Sequence, residues 1–352
     1  MNSLELFKTQ KFYQIDISIL KDLGYDVLLS NRIFDSLLFW KYDILFSYFY
    51  RYSFFAALLA KCFGKKTYFT GGIDSLDSDY ASAFNYKIQA LFFKLCYWVA
   101  DSCIIVSQSD LKNIFKVSSL KKKLSYSEHV INTKLFIADV PKEKIFTSIV
   151  WMGDEGNVVR KGVDKALQIF AELKKIPEFV DYRFVIIGRK GEGEVLVRSI
   201  KDKYNLKGSV ELKGEVSEED KINLLKQSKY YFQLSLYEGF GLAALEALCA
   251  NNIIIHSGKG GLANPIYKEQ LLFDIDNDFD SELLKLVNKL ACFTPITSYD
   301  NLLEYYDIQR RKDDFEAIIV NGKSNYKLKS TDELLYIVKN TNPFDTKSAS
   351  LV

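Results

Sequence analysis

The sequence predicts an α/β protein made of two Rossmann-like, doubly wound parallel-sheet domains facing each other across a cleft. Three observations carry this. From about residue 146, short β-branched runs alternate with longer amphipathic ones, the βαβα order that folds into a parallel sheet covered by helices. The first 140 residues show the same alternation less cleanly. And 352 residues are too many for one ordinary core and enough for two, which leaves a cleft between them.

In the C-terminal half the elements run FTSIVWMG, VDKALQIFAELKK, YRFVIIG, EGEVLVRSIKDKY, SVELKG and SEEDKINLLKQS. Ser217, with Asp220 three residues on, is a capping signal for the last of these helices. Then follow YYFQLSL, a glycine-containing turn, LAALEALCA, NNIIIHS, a glycine loop and LLFDIDN, which complete a domain over 146–297. The N-terminal half reads as helix KFYQIDISILKDLG, strands YDVLLS and YDILFSY, helix RYSFFAALLAKCFG, strand KKTYFTGG, helix YKIQALFFKLCYWVAD and strand SCIIVSQ. It forms a domain over 1–140, joined to the second through a Lys-rich stretch at 132–146. Residues 298–352 are expected as C-terminal helices, SYDNLLEYYDIQRRKDDFEAII above all, packing back toward the N-terminal domain and ending in a frayed tail after Asn340.

Composition narrows the function. With 48% hydrophobic and 26% charged residues, the chain is globular rather than disordered. A net charge of +2, with only a mild positive excess in residues 1–140, argues against a nucleic-acid partner. Cys62, Cys96, Cys103, Cys249 and Cys292 are scattered without CxxC spacing, so neither a disulfide framework nor a zinc site follows. His129 and His256 have no second ligand at metal spacing and are expected to be structural. The N-terminus MNSLELFKTQK lacks an apolar signal core, and Lys41, Asp43, Arg51 and Lys94 interrupt the apolar stretches before about 18 residues. A cytoplasmic location is expected. The aromatic stretches 34–63 and 84–98 admit two readings, ordinary core packing and contact with the surface of a bilayer.

The chemistry concentrates in YEGFGLAALEALCA, residues 237–250, where a strand ends in a glycine-flanked turn that opens directly into a helix. Gly239 and Gly241 let a ligand approach the backbone, and the unpaired N–H groups at about Gly241 to Ala243 suit a pyrophosphate. Glu246 is the sole charge in the run from Leu242 to Ala250. An unpaired buried carboxylate is costly, so the diol of a ribose is an economical partner. On these local features alone, a solvated Glu246 and two turn-forming glycines explain the pattern as well.

Glu238 and Glu246, seven residues between them, in the frame EGFG followed by LEAL, resemble the signature of the family-4 retaining glycosyltransferases, the glycosyl transferases group 1. Further segments follow in the family's order: FTGGID at 69–74, ADSCIIVSQSD, HVINTKLF at 129–136, RKGVDKAL at 160–167, YRFVIIG, VELKGEVSEED and IIIHSGKGG. The resemblance spans roughly residues 40–290 and implies the GT-B architecture. It implies a hexosyltransferase that passes a sugar from a nucleotide sugar, UDP- or GDP-linked, to a saccharide or lipid-linked saccharide acceptor, with retention and without a metal or other cofactor. By the same resemblance Glu238 and the turn Gly239, Phe240, Gly241 and Leu242 hold the donor sugar and phosphates, Glu246 the ribose, and Gly153 and Gly188 border the donor site. Positive charge at the departing diphosphate should dominate catalysis, and Lys161 with Arg160 beside it matches the family's basic motif. A solvated Arg-Lys pair at a helix entrance is the plainer reading of those two.

Three departures stand out. Asp154 follows Gly153 where many relatives have Arg, so the phosphate clamp rests on Lys161 and Arg160. Gly71, Gly72, Ile73 and Asp74 occupy the loop where the family commonly places a His, which leaves Asp74 an acceptor-side or sugar-hydroxyl role, or only a turn cap. No glycine loop follows a first strand. The analogy points to surface polysaccharide or lipid-linked glycan synthesis at the inner face of the cytoplasmic membrane, and peripheral contact there through the N-terminal domain is the reading that the aromatic stretches admit beside core packing. Two other readings remain on this architecture, a nucleotide-sugar epimerase and a non-catalytic scaffold. GRKGEG at 188–193 has the wrong glycine spacing for a dinucleotide fingerprint.

Overall fold

The computed structural model describes residues 3–119, 122–137, 140–293 and 300–322. The chain divides into two compact units, residues 1–131 with 304–352, and residues 132–303. The expected frayed tail lies outside the described residues.

In unit 1, α1 (Ser3–Thr9) and α2 (Lys11–Asp22) precede a sheet of β1 (Ile44–Tyr48), β2 (Lys66–Thr70), β3 (Ser102–Ile105) and β4 (Leu124–Tyr126). The four strands are parallel and lie side by side in chain order. They are joined by α3 (Tyr50–Cys62), α4 (Ala83–Val99) and α5 (Gln108–Val117). Side chains alternate across a strand, and here the alternation sorts two cores. Leu45, Phe69, Cys103 and Ile105 pack with Phe54, Ala57, Phe93, Cys96, Leu111 and Ile114 of α3, α4 and α5. Ile44, Phe46, Tyr68 and Ile104 pack on the other face with Ile19, Leu20, Phe315 and Ile318. A buried ion pair, Arg311 Nε to Asp16 Oδ1 at 2.6 Å, ties the helix Ile308–Phe315 to α2 beside this second core.

Two elements of unit 1 depart from expectation. The segment 25–30, expected as a strand, carries no ladder; Tyr25 and Val27 touch the core while Leu28 and Leu29 are exposed. In place of one long helix from residue 298, the structure has α-helices Asp300–Tyr305 and Ile308–Phe315, broken where Ile131 N–H donates to the Tyr306 carbonyl at 3.0 Å and Asp307 turns to cap the second helix.

Unit 2 holds a six-stranded parallel sheet: β5 (Glu143–Ile149), β6 (Arg183–Ile187), β7 (Val210–Gly214), β8 (Ser228–Gln233), β9 (Ile253–His256) and β10 (Leu271–Leu272). Its spatial order is β10-β9-β8-β5-β6-β7. The chain runs outward from β5 to β7, returns to β8 beside β5, then runs outward the other way, so the direction switches between β5 and β8. Crossovers are α6 (Glu155–Arg160) and α7 (Val163–Leu173), α8 (Glu194–Lys203), α9 (Glu218–Gln227) and α10 (Leu242–Cys249), with α11 (Phe279–Cys292) closing the domain. The main core stacks Phe146, Phe184, Tyr230 and Phe232 of the strands under Phe170 and Leu167 of α7. Unit 2 begins at Asn132, within the segment expected as the interdomain link, because Phe136 just beyond it is fully buried.

Candidate active site

In an open parallel sheet, ligands sit beyond the carboxyl ends of the strands at the switch of winding direction. In unit 2 that point lies past β5 and β8, and Lys161 and Glu238 meet there. Lys161 Nζ is 2.7 Å from Glu238 Oε2 and 3.0 Å from Oε1, with the side chains 21% and 16% exposed, close enough to solvent to meet a ligand.

The backbone holds this pair from both sides. α6 ends at Arg160, and Gly162 turns the chain into α7 with φ +68°; a Cβ there would lie 2.0 Å from the Leu234 carbonyl oxygen. Only glycine fits so close an approach. Leu236 N–H donates to the Arg160 carbonyl at 2.8 Å, locking the Lys161 loop to the chain that leaves β8. On the other side, Gly261 N–H donates to the Glu238 carbonyl at 2.5 Å, and a Cβ on Gly260 would fall 2.2 Å from that same oxygen. The glycine loop after β9 therefore backs the turn 238–240 directly.

Glu238 is further fixed by residues not anticipated from the sequence. Ser235 Oγ donates to Oε2 at 3.0 Å and Gln233 Nε2 at 3.2 Å, while Tyr231 donates to Gln233 Oε1 at 3.1 Å. These polar groups share one side of the strand, opposite the core residues Tyr230, Phe232 and Leu234. The alternation in YYFQLSL was the available signal.

Beside the pair, α10 opens on Gly241 at φ +88° with no side-chain cap, which α2, α7 and α8 also lack, whereas Ser82, Ser107 and Ser217 accept from the first turns of α4, α5 and α9. Tyr267 Oη donates to the Gly241 carbonyl at 3.3 Å and steadies the turn. An uncapped helix start of this kind presents N–H groups and the positive dipole end to an anion. Gly239 and Leu242 are half-buried at the turn, while Phe240 is buried with Gly261 pressed against its backbone, which makes it a packing residue.

Glu246 lies one turn along α10 and is 4% exposed. Its carboxylate, expected to be unpaired, has a partner in the fold: Lys221 Nζ of α9 donates to Oε2 at 2.7 Å. Its burial is thus explained without a ribose. Arg160 turns to Asn157, with Nη2 2.7 Å from Oδ1, and does not join the pair of Lys161 and Glu238. Asp154, standing where Arg was expected, caps α6 through Asn157 N–H at 2.6 Å. Gly153 and Gly188 sit in the loops after β5 and β6. A Cβ on Gly188, φ +129°, would fall 2.0 Å from the Val150 carbonyl oxygen, and Met152 N–H donates to the Arg189 carbonyl at 2.9 Å. The glycines of GRKGEG serve this close loop packing.

Asp74 belongs to unit 1, at the start of a short 3-10 turn after β2. Its neighbour Asp110 is fully buried and accepts from Ile73 N–H at 3.3 Å; burial, with Asp74 adding to it, pushes the Asp110 carboxyl up to about 8. Both histidines are buried. His256 shares Nε2 with the Tyr267 carbonyl at 3.1 Å and accepts from Gly258 N–H at Nδ1, so the neutral ring pins the glycine loop, and burial pushes its pKa down to about 4. The four cysteines described are free. Among the described residues no helix is long and apolar enough to cross a membrane.

Comparison with solved structures decides the architecture. HepE of Anabaena, crystallised with UDP, superimposes with a TM-score of 0.64 over 82% of this chain and 81% of its own, at 12% identity. The pneumococcal O-GlcNAc transferase GtfA, crystallised with UDP and GlcNAc, gives 0.62 over 84% and 61%, at 14% identity. The fold is that of the GT-B glycosyltransferases. Within this GT-B chain, residues 156–291, which carry Lys161, Glu238 and Glu246, match the family described as Glycosyl transferases group 1. Among curated proteins, the GDP-mannose:cellobiosyl-diphosphopolyprenol alpha-mannosyltransferase of Xanthomonas oryzae is 31% identical over 40% of this chain and 40% of its own length. One subunit of the human phosphatidylinositol N-acetylglucosaminyltransferase is 30% identical over 30% of this chain and 21% of its own. The matched regions span less than half the length of these curated relatives.

Proposed function

We propose that this protein is a retaining, metal-independent hexosyltransferase that moves a sugar from a UDP- or GDP-sugar to a saccharide or lipid-linked saccharide acceptor. The observation that carries the reading is the Lys161–Glu238 pair, 2.7 Å apart at the carboxyl edge of the sheet beside the uncapped start of α10. A departing diphosphate needs positive charge in a partly dry place, and the Lys161 ammonium and the α10 N–H groups supply it without a metal ion. The acceptor oxygen bonds to the anomeric carbon as the bond from that carbon to the diphosphate oxygen breaks. The electron pair leaves with the diphosphate, and the acceptor proton passes to the departing phosphate oxygen on the same face. Glu238 keeps Lys161 within reach of the phosphates and takes a sugar hydroxyl, Glu246 takes the ribose by exchanging part of its bond to Lys221, and Asp74 serves the acceptor side.

The names of the relatives, one acting on a cellobiosyl-diphosphopolyprenol and one on phosphatidylinositol, support a lipid-linked acceptor, and we place the reaction in surface or lipid-linked glycan synthesis at the cytoplasmic face of a membrane. The test is release of nucleoside diphosphate from UDP- and GDP-sugars, in EDTA, with and without a polyprenyl-diphosphate saccharide. Acceptor-dependent release that Lys161→Ala and Glu238→Ala abolish supports transfer. Sugar interconversion without acceptor would make the protein an epimerase, and no turnover in any arm would make it a scaffold.

A further inference from the structure

Unit 1 carries a second surface that the donor chemistry leaves unused. Along α4, Phe84, Lys87, Leu91, Lys94 and Trp98 recur at intervals of three and four, so they form one stripe down one side of the helix. That side faces water: Phe84 is 71%, Leu91 55% and Trp98 70% exposed, and both lysines are exposed. The opposite side of the same helix buries Phe93, Cys96 and Tyr97 in the core, so α4 is apolar nearly all round, a pattern that in water asks for a partner on the outside as well.

The stripe continues onto its neighbours. α3 packs on α4, with the rings of Phe54 and Phe92 6.1 Å apart, and points Tyr52 and Phe55 outward. Past the end of α3, Phe63 stacks on Phe39 at 4.3 Å, and Trp40 meets Phe39 edge-on at 5.2 Å, with Trp40 66% exposed. Charge on the two helices has one sign: neither YRYSFFAALLAKC nor AFNYKIQALFFKLCYWV contains a carboxylate, and Arg51, Lys61, Lys87 and Lys94 supply the charge, while Asp101 pairs with Lys61 and Asp43 with Lys65 at the edge of the face. Exposed Trp, Phe and Tyr bodies interspersed with lysines match the interfacial zone of a bilayer, where aromatic rings sit at headgroup level and ammonium groups meet lipid phosphates. A protein partner of ordinary composition has no need of so uniform a sign.

We propose that the outer face of α3 and α4, with the aromatic knot at Phe39, Trp40 and Phe63, docks on an anionic lipid surface. This rests on the lipid-linked reading above only for its purpose; the surface itself stands on exposure and charge. The test is sedimentation of the full chain with sucrose-loaded vesicles of phosphatidylcholine alone and with about one-third phosphatidylglycerol. Binding is expected to the anionic vesicles, to weaken in high salt, and to bring a blue shift in tryptophan emission. Leu91→Ser with Trp98→Ser, and separately Lys87→Glu with Lys94→Glu, should each cut the vesicle partition coefficient about tenfold or more, since each lysine at such a surface counts severalfold. UDP- or GDP-sugar binding should stay unchanged in both variants, which separates failure here from failure of the transferase reading. Wild-type protein that ignores anionic vesicles, or variants that bind them like wild type, would overturn the proposal. So would a stable dimer in solution that Leu91→Ser with Trp98→Ser dissolves while vesicles never bind, since the face would then be a self-interface.

Discussion

The Lys221 ammonium lies 2.7 Å from the Glu246 carboxylate, bridging α9 and α10 across 25 residues of sequence, and both side chains are largely withdrawn from water. The carboxylate proposed to hold a ribose therefore already has a cationic partner in the fold.

Breaking that pair from the lysine side should be costly. Lys221→Met takes the ammonium from a buried carboxylate and is expected to destabilise unit 2 by about 3 kcal/mol, whereas Glu246→Gln keeps a hydrogen bond and should cost under about half of that. Urea unfolding of both variants checks the asymmetry; equal losses would contradict it.

Lys161→Ala should act on the chemical step. If its ammonium serves the departing diphosphate, kcat falls about 100- to 1,000-fold with a smaller change in the donor KM, taking one preorganised charged donor as the guide. Steady-state kinetics separate the two constants, and a loss confined to KM would move Lys161 from catalysis to binding.

Gly162 should tolerate no side chain. At φ +68°, with a Cβ falling 2.0 Å from the Leu234 carbonyl oxygen, Gly162→Ala must displace backbone, and a loss of about 3 kcal/mol with loss of turnover is expected. Gly208→Ala is the control. It has φ +87° but nothing within 4 Å of the added carbon, so it should cost only about 1 kcal/mol and leave turnover intact.

His256 gives unit 2 a pH dependence. Its ring is held neutral in the fold, with a pKa near 4 against 6.5 for an unperturbed imidazole, so its contribution is fully present above pH 6.5 and is lost as pH falls toward 4. A drop of that size is worth about 3 kcal/mol at most. Equilibrium unfolding between pH 7 and 4.5 should show the slope in wild type and a flatter one in His256→Gln.

The parallel sheet of unit 2 was legible because βα alternation is clean there, and the paired carboxylates because Glu238 and Glu246 stand in a glycine frame at fixed spacing. What stayed hidden was long-range. The bond from Lys221 to Glu246 depends on how α9 lies beside α10, and no local pattern encodes that. Gln233 and Ser235 were not singled out within YYFQLSL, although their alternation marked the side that carries Glu238. The expected strand at 25–30 had the residue types of a strand but no neighbour to pair with, and the helix expected from 298 broke because Ile131 takes the carbonyl of Tyr306.

Whether the turn at Gly241, flanked by Glu238 and Glu246, seats a nucleotide sugar is tested most directly by calorimetric titration with UDP-glucose, GDP-mannose and the corresponding free nucleotides. Saturable binding of one nucleotide series is predicted, weakened about tenfold or more by Glu246→Gln for sugar donor and free nucleotide alike, and by Glu238→Gln for the sugar donor in particular. Binding of either series unchanged by both substitutions would contradict it.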